Sequence, residues 1–219
     1  MTLAHSTKLL IQFCGAAALA FALVILPASS HAQDATAAQS YVQSNVQTAL
    51  GILQDPSLSP SARRERIHAL LLSLLDTQRV ALFMLGSAQS TASPAAVAAY
   101  TEACRDFMVA NYDSKLGNYA GQTLHVTGAS QHAPGDFVVS AVLVDPSGSA
   151  NGKTPPEVDF RIVDEGGHFY IVDASIEGVW LAVAEHDDFQ GFLNAHNGDV
   201  AALTAHLKDM TAQLNAQAS

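Results

Sequence analysis

Few groupings in this chain have the side-chain types for chemistry. His186-Asp187-Asp188 sets an imidazole beside two carboxylates, the ingredients of a metal site or a general base. Neighbouring helical positions point about 100° apart, so these three need partners from elsewhere to converge on an ion, and a solvated helix face is the simpler reading. Asp173 and Glu177 have the types of a glycosidase carboxylate pair, with no separation fixed by sequence. Cys104 has no activating base nearby in sequence, and His125, His132 and His168 lack ligand spacing. Gly148 to Thr154 looks like a phosphate-binding loop, but Ser147 stands where the pattern needs glycine, and the stretch precedes no helix. Neither G-x-S-x-G nor H-E-x-x-H occurs. A hydrolase would require His125, Asp173 or Glu177 to meet inside a cavity. The expectation is a protein that is not an enzyme, with no catalytic residue, metal site or cofactor.

What remains is apolar surface. Leu82, Phe83 and Leu85 precede Gly86, and a later helix adds Phe107 and Met108. Strand-type runs offer Val126, Val139, Phe160 and Ile162, and Val179 and Trp180 follow a Glu-Gly corner. These eleven are the candidate lining of an apolar pocket. For each, ordinary core is the competing explanation, because residue type alone does not separate a packed core from a lined cavity.

The elements that position them follow from periodicity. Ala38, Val42, Val46, Leu50 and Leu53 mark a helix from about Ala35 to Gln54, stopped by Asp55-Pro56. Ile67, Leu70, Leu71 and Leu74 mark a second helix, and Val80 to Leu85 a third, closed by Gly86. Ser93-Pro94 opens a long helix with Tyr100, Cys104, Phe107 and Met108. Four strands follow, from Leu124, at Phe137 to Val144, around Val158 to Ile162, and at His168 to Ser175. The second is apolar on both faces, which predicts a central strand covered on both sides. Short turns between them predict an antiparallel meander, and Asp199 caps a last helix with Val200, Leu203, Leu207, Met210 and Leu214 on one stripe. The class is α+β, a four-stranded meander packed with helices from both ends of the chain.

Lys8, an apolar run from Leu9 to Leu26 and the small-residue end Ser30-His31-Ala32 have the layout of a secretory signal peptide over residues 1–32. The run is nearly long enough to cross a bilayer, so an uncleaved anchor stays open. Cleavage would leave 187 of the 219 residues, residues 33–219, as one domain. The net charge of −10 would become −11, because Lys8 is the only charged residue removed. Such a surface repels nucleic acid and anionic membranes. With Cys14 in the leader, Cys104 is left alone, and the exported domain relies on its core rather than on disulfides.

Several separated features occur in a telling order. Tyr41-Val42 opens a helix, Asp76 follows a leucine-rich one, and Leu85-Gly86 ends the next. Phe107, Asn111-Tyr112, Leu116 and Tyr119-Ala120-Gly121 follow, and the meander closes on Asp173, Glu177-Gly178-Val179, Leu181 and Phe189. In this order the chain resembles the MlaC, or toluene-tolerance, family of periplasmic phospholipid-binding proteins. The resemblance implies a small sheet and helices around a deep apolar pocket that takes acyl chains and leaves the headgroup outside. It implies a monomeric periplasmic carrier of phospholipid between an outer-membrane lipoprotein-porin complex and an inner-membrane ABC transporter, with no nucleic acid partner. Three places depart from the family pattern. Ser87-Ala88-Gln89-Ser90 stand where aromatic and arginine residues are usual, Trp180 where serine is, and His186 where arginine is. These departures leave a polycyclic, hopanoid-type cargo open. A non-catalytic partner-binding domain with a packed core is the other alternative.

Overall fold

Side-chain oxygens punctuate the helical half of the chain. The computed structural model describes residues 28–116, 121–145 and 155–217, with side chains placed for 34–112, 121–145 and 155–217. The expected signal segment, apart from 28–32, and the Gly148 to Thr154 loop lie outside the described residues, as do Tyr119 and Ala120. Helix α1 spans Ala28–Gln54, beginning before the expected Ala35. Helix α2 (Pro60–Leu74) starts where Ser59 Oγ accepts the Ala62 amide, with Pro60 in the first turn, where no amide hydrogen is needed. Helix α3 (Thr77–Leu85) starts on Asp76, which accepts the Arg79 amide at 2.9 Å. A single turn, α4 (Ala88–Thr91), separates it from α5 (Pro94–Leu116), where Ser93 Oγ accepts the Ala96 amide.

The sheet is an antiparallel meander in the order β1-β2-β3-β4-β5, with β1 Thr123–Ala133, β2 Asp136–Val144, β3 Glu157–Glu165, β4 His168–Ile176 and β5 Val179–Trp180. It has five strands, not the four expected. The extra strand comes from the Glu177-Gly178 corner, where φ is +50° and +81°. Two successive positive φ values fold the chain back in the sense of a two-residue hairpin, so Val179 pairs with Ile176 and Trp180 with Ser175. Helix α6 (Leu181–Ala195) leaves directly from β5, and α7 (Val200–Gln217) starts on Asp199, which accepts the Ala201 and Ala202 amides.

The interior is divided in two. On one face of the sheet, Phe137, Val139 and Ile162 are buried against Ala38 and Val42 of α1, with Val126, Phe160, Phe169 and Ile171 around them. The other interior is helical: Val80 and Met84 of α3, Tyr100 and Phe107 of α5, Phe189 of α6 and Leu203 and Leu207 of α7 pack together. Its aromatic centre is Phe189, edge-on to Tyr100 at 6.4 Å and tilted against Phe107 at 6.2 Å. Strand β2 is interior to the sheet, but Val138, Ser140 and Val142 on its second face are only half-buried, so it is not covered equally on both sides. The helical layer meets the sheet mainly at β4 instead. There Ile162 pairs with Ile171 and Arg161 with Asp173, which leaves Val172 as an extra residue in a β-bulge. Alternation puts Ile171 on the α1 side and Val172 on the helical interior, and the extra residue keeps the next side chain, Asp173, on the helical side as well, opposite Arg161.

Candidate functional site

The bulge at Val172 sits where two hollows meet. Behind it, α3 supplies Val80 and Met84, α5 supplies Phe107 and Met108, and α6 supplies Leu181 and Ala182 around a mostly apolar cavity of about 100 Å³. In front of it, Phe83, Val163 and Val183 join a groove of about 410 Å³ whose other walls carry Arg79, Asp136, Arg161 and Asp164. Val80, Val172, Asp173 and Ala182 line both, so the groove and the cavity are separated by one layer of side chains.

Asp173 organises this junction. Its Oδ1 accepts the amides of Ala174 and of Ala182, both at 2.8 Å. Ala182 lies in the first turn of α6, whose own cap position is Trp180, a residue with no side-chain cap bond. A carboxylate on the strand thus satisfies a helix N-terminus across the hairpin corner and complements its dipole. Burial raises the Asp173 pKa, and the amides of Ala182, Ala174 and Leu181 and the Arg161 guanidinium pull the other way without cancelling it. Tyr112, also on the cavity wall, is pushed up by burial and then by the Asp173 and Glu185 carboxylates, so its phenol keeps its proton.

Side chains of α6 hold the far end of α3. His186 Nδ1 lies 3.0 Å from the Phe83 carbonyl, and Gln190 Nε2 donates to the Met84 and Leu85 carbonyls at 3.1 Å each. The last carbonyls of a helix lack the usual intrahelical partner, and among the described residues only that of Phe83, of these three, also takes a backbone amide, from Gly86 at 3.1 Å. Gly86, at φ +59°, lets the helices approach: a Cβ there would lie 2.9 Å from His186 Cε1 and 3.0 Å from Gln190 Nε2. His186 is thereby tied to packing, while Asp187 and Asp188 are exposed.

The eleven candidate residues divide among several places. Phe107 and Met108 line the cavity, Phe83 lines the groove, and Leu82 lines a separate open groove between α3 and α5. Leu85 is fully buried in the helical interior. Val126, Val139, Phe160 and Ile162 pack on the α1 side of the sheet. Val179 is 59% exposed at the corner, and Trp180 is half-buried behind it. Sequence reasoning did not single out Val80, Met84, Val172 or Ala182, nor the capping role of Asp173. The signal for Asp173 was present: a strand aspartate, a two-residue corner, and a helix whose own cap residue has no oxygen to offer.

The hydrolase grouping does not assemble. His125 and Glu177 are both exposed, on β1 and in the β4–β5 corner, and only Asp173 lines the cavity. Cys104 is fully buried, and burial pushes its thiol up to about 12, far from a nucleophile's range. Apolar walls, a phenol that keeps its proton and a carboxylate already engaged with backbone amides suit holding a ligand.

An antiparallel sheet backed by helices, with an apolar cavity and a charged groove on either side of one wall, is the frame of a binding protein. The chain belongs to the MlaC protein family, whose model matches residues 43–209. A solved structure with the same fold is a phospholipid-binding protein from Ralstonia solanacearum in complex with a phospholipid. It aligns with a TM-score of 0.66 at 23% identity, over 81% of this chain and 98% of that one.

Proposed function

We propose that the protein is a periplasmic phospholipid carrier, shuttling lipid between an outer-membrane lipoprotein-porin complex and an inner-membrane ABC transporter. The observation that carries this reading is the apolar cavity joined to a charged groove through the wall of Val80, Val172, Asp173 and Ala182. Acyl chains would pass this wall into the space between α3, α5 and α6, against Phe107 and Met108, and the headgroup would stay in the groove. At ~0.8 kcal/mol per CH₂, two chains of roughly 16 carbons cost on the order of 25 kcal/mol to expose to water. Hiding the tails is the whole task, and no reacting group is needed for it.

The cavity of about 100 Å³ is smaller than the ~300 to 1,000 Å³ usual for ligand sites, whereas the groove falls within that range. Loading therefore requires the helices to part from β4. Family membership, the secretory layout of the leader and the phospholipid bound to the Ralstonia protein support the reading. The unfilled space speaks against a fully packed partner-binding domain. Native mass spectrometry of the purified protein tests the carrier: one lipid per chain is expected, and repeated preparations with neither bound lipid nor uptake from vesicles would overturn it.

A further inference from the structure

The rim of the groove carries opposite charges in a fixed arrangement. Arg161 meets Asp136 edge-on, Nη2 to Oδ2 at 2.7 Å and Nε to Oδ1 at 3.1 Å. Arg79 is held by Asp76 through Nε at 3.0 Å and by Glu165 through Nη2. Each guanidinium uses Nε and Nη2 in this way, which leaves Nη1 without a carboxylate partner among the described residues. Asp164 is anchored to the neighbouring turn, accepting the Gly167 amide on Oδ1 at 2.7 Å, and its own amide binds the Gly135 carbonyl. With Asp173 on the shared wall, and Asp76 and Glu165 beside Arg79, the groove sets five carboxylates against two guanidiniums, and the whole chain is at −10.

Two guanidiniums with donors to spare suit a phosphodiester. The surplus of carboxylates opposes a headgroup whose only charge is that phosphodiester, and favours one that also carries an ammonium. Resting on the carrier reading, we propose that this groove is a headgroup site for zwitterionic phospholipid, with the phosphodiester at Arg161 and Arg79 and the ammonium at Asp164 and Asp136, and that it selects against anionic headgroups. Because the groove adjoins the apolar cavity, the headgroup would sit at the head of the tail channel. The rim is part-exposed, so screening limits the size of the preference.

The test incubates the purified full chain with vesicles of equimolar phosphatidylethanolamine and phosphatidylglycerol bearing identical acyl chains, and reads the bound lipids by native mass spectrometry. Loading should favour the ethanolamine lipid by about three- to tenfold at low salt, and the ratio should shrink as salt rises. Asp164→Asn keeps the Oδ1 acceptor for Gly167 and removes the charge; it should bring the ratio below about twofold, through lower loading of the ethanolamine lipid. Arg161→Gln should lower loading of both lipids together. Equal loading by the parent protein, a preference for the glycerol lipid, or an Asp164→Asn protein with unchanged selectivity would overturn the headgroup site and leave the carrier standing. Absence of lipid from both arms would overturn the carrier reading, and the headgroup site with it.

Discussion

Asp173 on β4 holds the first turn of α6 by accepting the Ala182 amide at 2.8 Å, across a corner of only a few residues. One oxygen takes both this amide and that of Ala174. Replacing Asp173 by alanine strands both donors and should cost about 0.5 to 2 kcal/mol in urea denaturation, as for lost helix caps. Asp173→Asn keeps an oxygen in the same place and should cost less.

The pH dependence separates these variants further. Burial raises the folded pKa of Asp173 above its usual 3.8, so the folded state binds its proton more tightly than the unfolded chain. This group's contribution to stability is therefore most favourable below the unfolded pKa. It declines as pH rises through the window between the unfolded and folded values, and is constant above it. Asp173→Asn should remove that decline. Denaturation midpoints of the two proteins, measured from pH 3.5 to 7, should differ in slope within the window and run parallel above it.

At Gly86 a side chain would be strained by φ +59° and would also strike His186 and Gln190. Gly86→Ala should destabilise by roughly 1 to 3 kcal/mol. The double variant Gly86→Ala/His186→Ala should recover the steric part and leave the backbone part, giving a favourable coupling energy in a double-mutant cycle. A purely additive result would mean that the contact with His186 carries none of the cost.

Opposite faces of the sheet should respond differently in lipid loading. Ala182→Leu places three further carbons against a cavity of about 100 Å³ and should lower loading several-fold with little change in the thermal midpoint. Ile162→Val, on the α1 side, should cost about 0.5 to 1.5 kcal/mol and leave loading intact. Lipid loss from Ile162→Val with stability intact would move the tail site to the α1 face.

Cys104 should be silent to thiol reagents in the native protein. Its thiol is pushed up to about 12, first by burial, and it lies beside the Tyr100 hydroxyl, itself driven upward by burial. Labelling at pH 8 should proceed at the rate of global opening and quicken with urea. In alkali the sign is again a decline, because the folded state keeps the thiol proton longer than the unfolded chain between about 9 and 12, so stability falls as pH rises through that range.

Much of the fold was legible because local chemistry dictates it. Ser59-Pro60, Asp76, Ser93-Pro94 and Asp199 announce helix starts through short oxygens that reach backbone amides two or three residues on. The change from a period near 3.6 to alternation announces the meander. The site was less legible, because periodicity tells that a face is apolar and not what it faces. Val139 and Ile162 have the same credentials as Phe107 and Met108, yet the first pair packs on α1 and the second on the cavity. A bulge is worse still for a reader of sequence: plain alternation would send Asp173 to the α1 side with Ile171, and only the extra residue at Val172 keeps it beside the helices. The fifth strand hides for a related reason, since Glu177 is not the residue type that advertises a positive φ.

Among the described residues the two interiors share no buried side chain, and Ile171 and Val172, adjacent in the chain, serve one each. A substitution at Ile171 is therefore felt by α1 and one at Val172 by the helices, so a single step along β4 changes which half of the molecule a mutation strains.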